Sequence, residues 1–332
     1  MDWLLFLIAA GVIVVSGTKL SLYADILAIK LGLSRSAIGV LLVSVITTLP
    51  ETTTTLGAIR KVGSPDLALG NNFGSILLNL SIIGICDIAF RKGGVLRRVN
   101  VRETKAAYGS LVLILIAGIG LLVTFPVELI GVKVGLGSLL IVVVYAVIFR
   151  VIQKDGLLAG FDEEDGQSER TRSMPAAVVG FSICSALIVV SGISLAVIGD
   201  RIAVSYGLSR SFVGTLFLAL ATSLPELTVG VSSVRRGAYD LMFGNVMGAN
   251  MLNVVVIAVA DIFYNQAPLN IPGNLGWGQL FSAGGAAVAT LIAVSGIART
   301  TRERESRLFG WRSVAIILVY ILSLLIIYKE WL

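Results

Sequence analysis

Two pentapeptides, TTLPE at Thr47–Glu51 and TSLPE at Thr222–Glu226, place a carboxylate, a proline and hydroxyls inside long apolar stretches. Residues four apart share a helix face, so Thr47 points with Glu51 and Thr222 with Glu226, and Ser44 lies a turn further back. Pro50 and Pro225 lack an N–H, which frees the carbonyls of Ile46 and Ala221. Carboxylates, hydroxyls and freed carbonyls are all oxygen donors, the set that hard cations prefer.

Two further segments extend the set. GNNFGSILLN supplies Ser75 and Asn79; GNVMGANMLN supplies Asn250 and Asn253, with Ala249 standing where the first copy has Ser75. Their glycines let helices approach closely or bend. Two glutamates meeting at one place would balance a divalent cation. With the cation gone, like charges in a desolvated site repel, which couples release of one ion to uptake of another. The plainer alternative for Glu51 and Glu226 is a structural hydrogen bond. An intramembrane carboxylate costs about 2.5 kcal/mol or more, and recurrence of the pair with matching Thr and Pro favours a functional role. Thr52 to Thr55 turn through all faces and read mostly as packing residues. Asp25, Asp200, Asp66, Asp240, Asp87 and Asp261 fall near the ends of apolar runs and read as caps, anchors or gate residues. Histidine is absent, which excludes a histidine triad, a histidine metal site and a histidine proton relay. No activated nucleophile or nucleotide-binding loop is visible, so an enzyme is not expected. Cys86 and Cys184 stand singly in apolar runs and read as core residues.

These residues need an unusual setting. The chain of 332 residues is 56% hydrophobic and 14% charged, with a mean hydropathy of +0.93. Soluble domains carry about 25% charged residues, so lipid must solvate most of this surface. Apolar runs of about 20 residues recur, and ten spans are expected: 3–28, 36–59, 67–90, 105–124, 126–150, 174–203, 211–233, 240–264, 274–298 and 310–328. The runs lack strict alternation, which excludes a barrel. The fold class is therefore an all-α polytopic membrane protein. The first run, MDWLLFLIAAGVIVV, opens with an acid and shows no cleavage site, so it reads as a span rather than a signal peptide.

The net charge of +6 is unevenly placed. Arg91, Lys92, Arg97, Arg98, Arg102 and Lys105 lie between the third and fourth runs; Arg299, Arg302, Arg304, Arg307 and Arg312 lie around the ninth-to-tenth connection. None occurs from Gly237 to Ile297. The positive-inside rule puts the basic loops in the cytoplasm and both termini outside, with Arg60 and Lys61 mildly opposed. Topology accounts for these clusters, and no nucleic-acid partner is implied. No obligate protein partner is evident; the expected surroundings are the bilayer of the cell membrane.

The chain also repeats itself. SGTKLSLYADILAIKLGLSRSAIG from Ser16 aligns with SGISLAVIGDRIAVSYGLSRSFVG from Ser191 at an offset of 175 positions, which carries Glu51 onto Glu226 and Arg60 onto Arg235. After a one-residue deletion, DLALGNNFGSILLN aligns with DLMFGNVMGANMLN at an offset of 174. Ten spans then divide into two five-helix halves, 1–153 and 174–332, joined by a hydrophilic cytoplasmic linker, 154–173, that contains the acidic run Asp162–Asp165. An odd span number inverts the second half, and inverted repeats place a substrate site at their interface near mid-membrane.

With these motifs at this spacing, the chain resembles the sodium/calcium exchanger family of the calcium/cation antiporter superfamily. The resemblance covers all ten spans and is strongest at 16–90 and 191–264, with alpha-repeat motifs at about 36–90 and 211–264. It implies antiport of calcium against sodium with no cofactor, and ion ligands at Glu51, Glu226, Ser44, Thr47, Thr48, Ala219, Thr222, Ser223, Ser75 and Asn79. Asn253 falls where the family often has an acid, Ala249 where it has a hydroxyl, and Ile76 where it has an asparagine. These departures keep calcium/proton exchange as the alternative. A passive cation channel is the alternative of another class, but it would need a continuous pore and usually a ring of ligands from several chains.

Overall fold

The computed structural model describes residues 1–30, 47–89, 94–154 without 124 and 130, 174–298 without 236, 265–266 and 270–272, and 310–329. Ser44, most of the expected second span and nearly all of the linker lie outside the described residues. The described chain is helical. Its long elements are α1 (Asp2–Lys30), α2 (Leu49–Gly57), α3 (Pro65–Ala89), α4 (Thr104–Leu122), α5 (Leu136–Lys154) and α6 (Met174–Tyr206). The short α7 (Arg210–Val213) and α8 (Ala219–Thr222) follow, then α9 (Leu224–Arg235), α10 (Tyr239–Tyr264), α11 (Gly278–Ala298) and α12 (Trp311–Lys329). Five-residue π-helical turns continue α2 (Ala58–Val62) and join α7 to α8 (Gly214–Leu218).

Seven of these helices are long and apolar enough to span a bilayer, or eight if the bent unit Arg210–Arg235 counts as one span. Two differences from the sequence reading explain the shortfall within the described residues. The expected span at 126–150 begins instead as an antiparallel hairpin, β1 (Pro126–Leu129) with β2 (Val132–Gly135). Pro126 cannot sit inside a helix without losing a bond, Gly131 turns the chain at φ +78°, and the β-branched valines on both strands suit a pleated surface. Glu128 lies directly opposite Lys133. The apolar helix that follows runs only Leu136–Ile152, about 25 Å at 1.5 Å per residue. The expected span at 211–233 is broken, and its two parts meet at 51°.

Burial ranks the helices. In α3, 72% of the apolar window lies inside the protein, and in α10, 67%; for α1 and α6 the figure is 39%. The two central helices are those that carry the Gly-Asn motifs. α3 packs on α10, α11, α12 and the Gly214–Leu218 turn, while α1 lies along α6 at the periphery. Close approach to α3 depends on glycine: a Cβ on Gly74 would stand 2.5 Å from the Thr215 carbonyl, and one on Gly214 2.6 Å from that of Leu67.

The aspartates at helix ends act as staples. Asp87 accepts from Leu96 N and from Ser313 on α12. Asp261, its counterpart in the repeat, accepts from Leu269 N, from Gly135 N and from Ser138 on α5. Ser138 and Ser313 are themselves 175 positions apart. Asp66 holds Gly276 N, Ser211 and Gln279; Asp240 holds Asn100 N; Asp200 pairs with Arg210 at 2.6 Å. The side chain of Asp25 lies outside the described residues. Cys86 and Cys184 are buried free thiols.

Candidate cation site

Both TxLPE segments break their helix at the same place. Thr48 has φ −82°, ψ 2° and Ser223 φ −90°, ψ 6°, the bridge region where a turn can re-aim the chain. A new helix starts one residue later, so Pro50 and Pro225 sit in its first turn, where a missing N–H costs little. Glu51 and Glu226 share that first turn. The helix N-terminus therefore favours their negative charge. Each is 1% exposed.

The hydroxyls reach across between the copies. Ser223 Oγ donates to Glu51 Oε1 at 3.1 Å, and Thr222 also contacts the Glu51 carboxylate. Reciprocally, Thr47 contacts the Glu226 carboxylate. The two carboxylates lie close enough to act electrostatically on each other. Neither is ion-paired with Lys or Arg among the described residues. Thr48 is buried at the break, where its carbonyl accepts from Thr52 N and Thr52 Oγ1.

α3 and α10 close the site. Asn79 Nδ2 donates to Asn250 Oδ1 at 3.1 Å, joining the two helices. Ser75 and Asn79 are fully buried, and Asn253 is 1% exposed. Among the described residues, Glu51 Oε2, Glu226 Oε2, Ser75 Oγ, Asn79 Oδ1 and Asn253 Oδ1 are buried oxygens without a hydrogen-bond partner. Unpartnered buried polar atoms are rare and ask for an explanation. Acceptor oxygens such as these suit a cation; further buried oxygens without partners among the described residues include Thr54 Oγ1, Asn72 Oδ1, Ser110 Oγ and Thr215 Oγ1. The described residues contain no group of three or more His, Cys, Asp and Glu side chains that could hold a metal. The other polar groups nearest the carboxylates are hydroxyls and amides.

Ala219 sits differently from the other residues named by sequence. Its carbonyl accepts from Ser223 N at 3.0 Å and faces Thr222 Oγ1 at 3.4 Å, within its own helix. Ala249 is buried at 1% and brings no donor or acceptor beyond its backbone.

Asn71 was not singled out by sequence. Its Nδ2 donates to the Glu51 carbonyl at 3.3 Å and to Thr55 Oγ1 at 3.2 Å, while its Oδ1 accepts from Thr222 Oγ1 at 3.3 Å. Asn72 Nδ2 reaches the same Thr55 hydroxyl at 2.8 Å. The signal was present: Asn71, Ser75 and Asn79 are spaced i, i+4, i+8 on one helix stripe.

The chain is also similar to known proteins. Over 260 residues the chain is 26% identical to inner membrane protein YrbG of Escherichia coli, covering 76% of this chain and 77% of that one. Its structure is similar to that of the H+/Ca2+ exchanger CAX, with a TM-score of 0.64 and 18% identity over 99% of this chain and 89% of the other. The sodium-calcium exchanger NCX_Mj gives a TM-score of 0.60 and 20% identity over 98% and 97%. At these identities the structures speak to fold. A family model described as sodium/calcium exchanger protein matches residues 1–151 and 176–329, and the chain belongs to that family.

Proposed function

We propose that this chain is a secondary active antiporter that exchanges calcium for sodium across the cell membrane, with Glu51 and Glu226 at its centre. The observation that carries the reading is the pair of buried carboxylates bridged by hydroxyls from opposite copies, with the unpartnered oxygens of Ser75, Asn79 and Asn253 on the neighbouring helices as candidate further ligands. In a low-dielectric interior such a pair is costly without a cation. α3 and α10, one from each copy, pack on each other and on α2 and α9, which bear the two glutamates. The crosswise staples of Asp87 and Asp261 on equivalent serines of α12 and α5 support two inverted five-helix halves, 1–153 and 174–332, and ten spans in all.

Alternating access then requires one group of helices to move past another. The peripheral pair α1 and α6 is the candidate. Each is long, mostly exposed to lipid and packed along the other, and α6 covers α2, which bears Glu51. Calcium/proton exchange is the second reading. The amide of Asn253 and the methyl of Ala249 leave only two carboxylates at the site, so fewer fixed charges hold sodium and a proton competes better. Calcium uptake into proteoliposomes under an outward sodium gradient tests the first reading. Flux that ignores sodium at every gradient would overturn it. Uptake with no counter-ion dependence of any kind would instead favour a channel.

A further inference from the structure

Asn71 lies at the junction of the two copies and carries more cross-links than its neighbours. It is fully buried on α3. Its amide has two donors and one acceptor oxygen, and the surroundings fix which way it points. The Glu51 carbonyl and Thr55 Oγ1 face Nδ2, and the Thr222 hydroxyl faces Oδ1. One side chain therefore ties the backbone of Glu51, from the first copy, to Thr222, from the second.

The hydroxyl of Thr222 has one proton and two lone pairs. Three acceptors lie within 3.4 Å of the hydroxyl oxygen, the Leu218 carbonyl at 3.1 Å, the Ala219 carbonyl at 3.4 Å and Asn71 Oδ1 at 3.3 Å, and the Glu51 carboxylate is its neighbour. Pointed at Glu51, the proton occupies the carboxylate and competes with a cation. Turned to Asn71, it leaves the lone pairs of Thr222 and the charge of Glu51 facing the same space. We propose that Asn71 is a positioning residue that orients the Thr222 hydroxyl, converting it from a donor to Glu51 into a cation ligand. The inference rests on the two-glutamate cation site proposed above and gives Asn71 no direct contact with the ion. The second copy does not repeat the device. Its counterpart, Asn245, is 5% exposed and has an Nδ2 without a partner among the described residues.

The test measures calcium binding by calorimetry on the purified full chain in detergent, with sodium-driven calcium flux measured separately in proteoliposomes. Asn71→Ala should weaken calcium binding roughly ten-fold, about 1.4 kcal/mol, and raise the half-saturating calcium for flux in proportion while the maximal rate per folded transporter changes little. Asn72→Ala removes a neighbouring buried amide whose partners among the described residues are Thr55 and the Ala68 carbonyl, and should leave binding within two-fold of wild type. The decisive arm is a double-mutant cycle. In a Thr222→Val background the further change Asn71→Ala should cost less than two-fold, because the hydroxyl it orients is gone. In Thr222→Ser the ten-fold cost should persist. Equal costs of Asn71→Ala in all three backgrounds, or wild-type affinity in Asn71→Ala itself, would overturn the positioning role. A wild-type protein that binds no calcium would instead overturn the cation-site reading beneath it.

Discussion

The two copies of the motif share a backbone device and differ in what they hang on it. In both, a bridge-region residue breaks the helix, a proline opens the next one, and a glutamate occupies its first turn. The first copy then surrounds itself with polar partners: Asn71 and Asn72 both bond Thr55, and Ser75 brings a buried hydroxyl. At the matching places the second copy has Asn245, Val246 and Ala249. The backbone break is thus duplicated, whereas the ligand complement is not. Under the proposed function, a cargo ion between Glu51 and Glu226 would meet more oxygen on the first copy's side, so equivalent substitutions in the two copies should have unequal effects.

The carboxylates are the exception, because each is needed to balance the cargo. Glu51→Gln and Glu226→Gln should each reduce transport by at least two orders of magnitude, with the melting temperature unchanged or raised, since an amide relieves the repulsion between two buried charges. A large loss from one and a small loss from the other, measured as calcium uptake per folded protein, would mean that a single carboxylate holds the ion. Next in size is packing. A Cβ on Gly70 would stand 2.8 Å from the Ser211 carbonyl, while one on its counterpart Gly244 would meet only the end of the Glu103 carboxylate at 3.3 Å. Gly70→Ala should destabilise by about 1–3 kcal/mol and Gly244→Ala by clearly less, read by thermal unfolding in detergent.

Smaller effects should come from the uneven ligands. Ser75→Ala should weaken calcium binding roughly ten-fold, about 1.4 kcal/mol, and Ala249→Ser should strengthen it by a few-fold if the missing hydroxyl matters. Asn253→Asp should strengthen sodium binding relative to wild type by restoring a charge near Glu226. Titration calorimetry would read all three. The smallest expected effect concerns the pair of Asp200 and Arg210, in which the arginine is 47% and the aspartate 22% exposed. Breaking such a pair with Asp200→Asn should cost about 0–1 kcal/mol. Transport should also fall at acid pH, where protons compete with calcium for Glu51 and Glu226, and added calcium should offset the loss.

Much of this was legible in the sequence because bilayers demand contiguous apolar runs, and because an internal repeat aligns the few polar residues with each other. α1, α3, α6, α10 and α12 fall where the runs place them. The buried oxygens of Glu51, Glu226, Ser75, Asn79 and Asn253 were all named from spacing or resemblance. What escaped was local and cooperative. Hydropathy cannot distinguish the hairpin at 126–135 from the start of a span, since β-branched apolar residues score well in either. The π-helical turns leave no mark in composition. Asn71 and Asn72 read as part of a glycine motif for helix approach, because their partners outside α3 lie 16 to 151 positions away and only the packed structure brings them together. The aspartate staples were read correctly as lying at span ends. Their partners, chiefly backbone N–H groups and serines of other elements, could not be read from sequence.

Under the proposed function, one site built by both copies couples calcium to a counter-ion. The most direct test is calcium flux in the same proteoliposomes with sodium and proton gradients imposed separately. Calcium uptake driven by an outward sodium gradient at equal pH, lost in both Glu51→Gln and Glu226→Gln, is the expected result. Uptake driven by the pH gradient alone, with sodium absent on both sides, would contradict sodium as the counter-ion. Uptake that persists in either glutamine variant would contradict the two-glutamate site itself.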